Sequence, residues 1–220
     1  MRTRRPTDSS DAEYYVRGYI IGKGESSFFH GRSVGGQDRE APGYNDGVAF
    51  TLRDFRREDF ETLWSIDQKC FPPGISYSRL ELAAYIRRRG SFTLVAESSD
   101  LRGNGIPGPS GRNVKPSSNT LGFIVAEASR RGEGHILTID VVPAARRLGV
   151  GSKLLTAAED RLREAKCHCV ILETAIDNQA ALAFYKRHGY FLLKTIPRYY
   201  SSGVDAFVLQ RELLSQGEPS

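Results

Sequence analysis

The run HILTIDVVPAARRLGVGSKLLTAAEDRL, His135 to Leu162, decides how this chain is read. It begins as an apolar, strand-like stretch. It ends with apolar residues at helical spacing: Val150, Leu154, Ala158, Leu162 and Ala165 form one stripe of a helix expected to reach Lys166. Between the two stand Pro143 and Arg146-x-x-Gly149-x-Gly151. Glycines let a backbone approach a ligand, and the first N–H groups of a helix point outward along a dipole that favours anions. Arg146 and Arg147 add positive charge. A pyrophosphate fits this turn; so does a tight turn needing glycine only for its backbone angles. Two other phosphate patterns are excluded. GVGSK (Gly149 to Lys153) lacks the first glycine of a P-loop, and Leu154 stands where a dinucleotide fingerprint has its third glycine.

Working outward, VAFTLRDF (48–55) predicts a strand. A helix follows with Phe60, Leu63, Trp64, Asp67 and Phe71 on one face, and Phe71-Pro72-Pro73-Gly74 breaks it. Ser78-x-x-Glu81 is a capping box that opens a second helix, LELAAYIRRR. SFTLVAES, LGFIVAEAS, GHILTIDVV and HCVILETA read as strands, the middle two as a hairpin. Asn178 is placed to cap the helix QAALAFYKRH, which Gly189 ends; YFLLKTIP and VDAFVLQREL close the chain as strands. The expected order is β-α-α-β-β-β-α-β-α-β-β. This is a mixed, layered α/β (α+β) domain: a mostly antiparallel central sheet flanked by about four helices, with the two strands around the glycine turn parallel. The domain is expected over 48–214. Residues 1–47 read as a poorly ordered extension in which Tyr14–Ile21 could add a short strand, 100–119 as a flexible loop rich in glycine and proline, and 215–220 as a tail.

Composition narrows the function classes. The chain has 220 residues, 40% hydrophobic and 26% charged, enough for one sizeable core. No stretch reaches the ~18–20 apolar residues of a membrane span. The N-terminal residues resemble no targeting segment, so the expected compartment is the cytoplasm. Cys70, Cys167 and Cys169 form no disulfide framework, and Cys167-His168-Cys169 alternates across a strand without a second ligand pair, so no metal is expected. The net charge of +5 permits an acidic cofactor, a ribosome or nucleic acid, and by itself does not argue for nucleic acid.

Three ordered motifs carry a resemblance over roughly residues 50–212. Arg146-x-x-Gly149-x-Gly151 after a V-x-P strand end, ILETAIDNQAALAFYKRHGY (171–190) and RYYSSGVDAFVLQ (198–210) together resemble the GNAT superfamily of N-acetyltransferases. Within it they are most like the ribosomal-protein-alanine and N-terminal (Nα) enzymes. The resemblance implies acetyl-CoA as cosubstrate, with no metal, and a peptide or protein N-terminus as partner, that of a ribosomal protein being one candidate. Ile139, Asp140 and Val141 would offer backbone to the pantetheine arm, with the Val141 N–H polarising the thioester carbonyl. Arg146, Arg147, Leu148, Gly149, Val150, Gly151 and Ser152 would surround the pyrophosphate. Asn178 would touch coenzyme A, or cap its helix, or both.

Tyr185 matches the family's general acid, although its helical face also suits core packing. Glu173 matches the general base. A carboxylate in the apolar run VILETA is costly unless it has a partner or a task, and alternation could also put it on an exposed face. Phe71, Tyr77, Tyr199 and Tyr200 would line the acceptor slot, ordinary aromatic packing being the alternative for the last two. Ala145 stands where the family often has an aromatic, which should affect packing more than phosphate binding. Within the same class the acceptor could instead be an internal lysine or a small amine; a catalytically silent acyl-CoA- or RNA-associated module is the competing class, and Glu173, Asn178 and Tyr185 argue against silence.

Overall fold

Alternation and helical periodicity become elements close to where the sequence puts them. The computed structural model describes residues 49–71, 75–99, 106–107, 113–114, 119–200 and 202–213. The expected extension 1–47 with its Tyr14–Ile21 strand, the breaker Pro72–Gly74, most of the 100–119 loop and the tail 215–220 lie outside the described residues. The order is β1 (Phe50–Asp54), α1 (Phe60–Cys70), α2 (Arg79–Arg87), β2 (Ser91–Ser98), β3 (Ile106–Pro107), β4 (Asn113–Val114), β5 (Thr120–Ala128), β6 (Glu133–Val141), α3 (Val150–Glu164), β7 (Cys169–Ala175), α4 (Gln179–Arg187), β8 (Phe191–Ile196) and β9 (Ala206–Glu212). The strands β3 and β4, inside the expected flexible loop, pair with each other as a two-residue antiparallel ladder. The main sheet runs β1-β2-β5-β6-β7-β9-β8, antiparallel except between β6 and β7.

Both faces of the sheet are covered, so its central strands are mostly apolar on both faces, with His135, Thr138, Asp140 and Glu173 as buried exceptions. One core lies against α3 and α4 and contains Ile124, Ile139, Leu154, Leu172 and Tyr185. The other lies against α1 and α2 and contains Leu63, Leu82, Phe123 and Leu137. Phe123 and Ile124 serve opposite cores because successive strand side chains point to opposite faces. The Ser78–Glu81 capping box is formed: the Glu81 carboxylate accepts from the Ser78 N–H at 2.8 Å. Helix α3 buries the expected stripe as far as Leu162. It ends at Glu164, however, so Ala165 lies beyond it and is exposed, while Cys167 takes the core position. Among the described residues no helix is long and apolar enough to cross a membrane.

The strand pair β5/β6 is the tightest backbone contact at the sheet's centre. A Cβ at Gly122 would run into the Asp140 carbonyl oxygen and lie 3.1 Å from Val141 Cα, a collision of backbone with backbone. Gly122→Ala is therefore expected to cost about 2–3 kcal/mol, lowering Tm by roughly 4–12 °C for a domain of this size. Thermal denaturation followed by circular dichroism checks this; an unchanged Tm would mean the strands part without cost.

Candidate active site

The central geometric event is the parting of β6 and β7. Their parallel register runs only from Glu133↔Cys169 to His135↔Ile171. Beyond it β7 keeps pairing with β9 along its whole length, and β6 keeps pairing with β5. A bulge sits just past the parting: Val125 faces Thr138 and Ala126 faces Ile136, leaving Leu137 as the extra residue of β6. The Val142 N–H is given to Leu121 of β5 at 2.9 Å. By strand alternation the Val141 N–H then points to the opposite edge, into the gap that β7 has left. Ile139 and Val141 thus turn their backbone groups to an edge that no strand covers among the described residues, while Asp140 between them faces Phe123 of β5.

Directly after this edge the chain makes its basic turn. Pro143–Ala145 is a single 3-10 turn, with Ala145 fully buried. Arg147 (φ +63°) and Gly149 (φ +83°) are both left-handed, and Gly149 caps α3. Alternating left-handed residues turn successive N–H groups toward one side, a concavity that suits anions, and the α3 dipole adds to it. A Cβ at Gly149 would meet nothing within 4 Å, so glycine there serves the backbone angle and leaves open space for a ligand. Arg146 takes a different part from Arg147. Its Nε donates to the Val141 carbonyl at 3.1 Å and its Nη2 to Cys70 Sγ at 3.7 Å, so this guanidinium ties the turn back to β6 and α1.

Two side chains flank the gap from opposite faces. Tyr185 comes from the α3/α4 side, is fully buried, and its hydroxyl has no hydrogen-bond partner among the described residues. Burial raises its pKa, and the nearby Asp140 charge adds to this, so the phenol stays protonated. Glu173 follows Leu172 on β7 and so turns to the other face, where it is buried. That burial settles the two placements its alternation allowed. Its partner is His135 of β6, with Nε2 2.8 Å from Oε2. Asn178 caps α4 by accepting the Ala181 N–H at 3.1 Å, at the end of the loop that follows β7.

A second buried carboxyl lies beside the gap. Asp140 accepts from Thr138 Oγ1 at 2.8 Å, while its other oxygen has no partner among the described residues. Burial, and then the charge of Asp67, raise its pKa well above the ordinary carboxylate range. Cys70, whose thiol approaches the Val141 carbonyl at 3.5 Å, is pushed up to about 12, by burial first and Asp140 second.

The expected acceptor residues divide. Tyr77 is buried; its hydroxyl donates to the Leu137 bulge carbonyl at 3.2 Å and its backbone is held by Asp67, Trp64 and Gln68. It thereby fixes the α1–α2 connection to the bulge. Phe71 is buried at the end of α1. Tyr199 and Tyr200 stack edge to face at 5.1 Å before β9; Tyr200 is buried against Ala175 and Ala206, and Tyr199 is half-buried. Sequence reasoning missed His135 and the side chain of Asp140. Among the described residues no cluster of three or more His, Cys, Asp or Glu is placed to hold a metal ion.

Residues 60–190, more than half of the chain, match the acetyltransferase (GNAT) family, and the chain belongs to that family. It is 38% identical over 74 residues to N-alpha-acetyltransferase 30 of Schizosaccharomyces pombe, covering 34% of this chain and 49% of that protein. Its fold matches Ard1 from Thermoplasma volcanium with a TM-score of 0.62 at 29% identity, over 76% of this chain and all of that one. The ribosomal-protein-S18-alanine N-acetyltransferase of Escherichia coli shares the fold with a TM-score of 0.62 at 19% identity, over 77% of this chain and 97% of that one. The chain spans about half the length of the curated relatives it matches first.

Asp140 makes stability depend on pH in a stated direction. Its folded pKa lies above the unfolded value of about 3.9, so between the two the folded state holds a proton that the unfolded state has released. This contribution is present below the unfolded pKa and is lost as pH rises through the folded one. Asp140→Asn keeps the Thr138 contact without the cost of ionisation. The Tm of this variant minus that of the wild type should therefore grow from pH 5 to pH 8. A constant difference would place the Asp140 pKa at its ordinary value.

Proposed function

We propose that this chain is an acetyl-CoA-dependent N-acetyltransferase whose acceptor is the α-amine of a protein N-terminus. One observation carries the reading: the backbone edge at Ile139 and Val141 has on one face Tyr185, whose buried hydroxyl has no partner among the described residues, and on the other the buried Glu173 carboxyl. An extended pantetheine arm would satisfy that edge as an added strand, and Arg147–Ser152 would cradle the pyrophosphate.

The chemistry follows from where the groups lie. The acceptor nitrogen attacks the thioester carbonyl carbon, and the negative charge that develops on oxygen is met by the Val141 N–H. Glu173 takes the proton that the nitrogen loses. As the carbon–sulfur bond breaks, Tyr185 supplies a proton to the sulfur; the phenol regains one from solvent and Glu173 releases its own. An α-amine titrates near ~7.7–8.0 against ~10.4 for lysine. A substantial fraction is therefore neutral at pH 7, which suits a single carboxylate base. The Nα-acetyltransferase names of the relatives support this acceptor. The Tyr199–Tyr200 pair and the Phe71 end of α1 are the walls proposed for the peptide, and a ribosomal protein is one source of such an N-terminus.

The test is acetyl transfer followed by mass spectrometry on peptides with free N-termini, and on blocked peptides that contain lysine. Adducts are expected on free N-termini only; modification of the blocked, lysine-bearing set would overturn the acceptor assignment. Glu173→Gln and Tyr185→Phe should each lower kcat by about 10²–10⁴-fold while acetyl-CoA still binds. Salt-sensitive RNA binding without any acetyl transfer would favour the silent module instead.

A further inference from the structure

The pairing of Glu173 with His135 asks for an account, because nothing in the reaction above uses the imidazole. The two residues are 38 positions apart and both are buried. They meet because His135 stands on the last paired rung of β6 and β7, and Glu173 stands two residues beyond that rung on β7. A carboxylate only accepts hydrogen bonds, so the Nε2 facing Oε2 carries the proton, and the imidazole is the donor. An isolated carboxylate here would be free to turn about its bond to the chain. One donor on one oxygen removes that freedom and leaves Oε1 as the free acceptor.

The kind of donor matters as much as its presence. The same fold contains a carboxylate held by a guanidinium: Asp59 accepts from Arg53 at 2.7 and 2.9 Å, and that grip pulls its pKa down. A base held in this way on both oxygens is a weaker base with no oxygen to spare. The His135 imidazole instead offers one ring nitrogen to one oxygen of Glu173 and leaves the other oxygen ungripped.

We propose that His135 is a positioning residue for acetyl transfer: its Nε2–H holds Oε2 of Glu173 so that Oε1 faces the acceptor amine and takes its proton. This rests on the reading of Glu173 as the base, and the experiment separates the two. Steady-state kinetics on the full chain would compare His135→Leu, His135→Gln, Glu173→Gln and the double variant His135→Leu/Glu173→Gln, with Tm measured for each. His135→Leu should lower kcat by about 10²-fold, the scale of a misplaced catalytic group, with KM for acetyl-CoA unchanged. His135→Gln, whose amide N–H can reach the same oxygen, should restore most of kcat. In the Glu173→Gln background, His135→Leu should cost nothing further, because the group it positions is already lost.

Wild-type kcat in Glu173→Gln would overturn the base assignment itself. An impaired Glu173→Gln beside a folded and fully active His135→Leu would overturn the proposal alone. So would equal losses in the Leu and Gln variants, or losses that multiply in the double variant. If His135→Leu fails to fold, His135→Gln decides: a folded Gln variant with the kcat loss of Glu173→Gln overturns the proposal, and near-normal kcat supports it.

Discussion

The gap between β6 and β7 is the constraint on which the rest of the molecule depends. Parting two strands in the middle of a sheet leaves backbone N–H and C=O groups without their ladder partners, and such groups are expensive when buried. The fold accepts this because both strands are secured on their other edges. β7 pairs with β9 over seven positions, and β6 pairs with β5 across the Leu137 bulge. The bulge kinks β6, and the Tyr77 hydroxyl ties its carbonyl to the α1–α2 connection. Each element around the gap therefore has a second attachment. The open edge is built into the packing and need not be created when a ligand arrives.

The basic turn follows from the same constraint. The chain leaving β6, which is open on one edge, turns into α3 through left-handed residues at Arg147 and Gly149. Positive φ at a residue with a side chain carries strain, which functional turns tend to store. The adjacent arginines divide the work. Arg146 holds the Val141 carbonyl, so the N–H of the same residue keeps its direction into the gap, and Arg147 lies in the turn itself.

Much of the fold was legible because its signals are local. SFTLVAES became β2 without a change of boundary, Ser78 and Glu81 formed their capping box, and Asn178 capped α4. The error at Ala165 is local too: a helical stripe continues on paper past the residue where the helix stops, and the next core position falls to Cys167. The candidate site was legible where its motif is contiguous, at 139–152. It was not legible at His135, a lone histidine in an apolar run. Its partner is fixed by a three-rung parallel register between strands that a whole helix separates. Nothing within a few residues of His135 encodes that pairing. Tyr77 and Arg146 were placed near the site for their chemistry, but neither sequence position reveals that their polar atoms are given to carbonyls of β6.

The two acids at the gap show how the site manages charge. Like charges in a poorly solvated cleft repel strongly, so two ionised carboxylates there would be unstable together. Glu173 is given an imidazole; Asp140 has its pKa raised, by burial first and by Asp67 second, which favours its neutral form. The choice of which acid stays neutral matches the direction of the proposed reaction. Negative charge would develop beside the Val141 N–H, one residue from Asp140. An ionised carboxylate there would oppose that charge at the moment it forms, whereas a neutral carboxyl does not. Where the attacking nitrogen would lose its proton, on the same face of the sheet as Asp140, a carboxylate is the group required. The raised pKa of Asp140 and the imidazole on Glu173 are thus two ways in which buried carboxyls are accommodated where the sheet opens between β6 and β7.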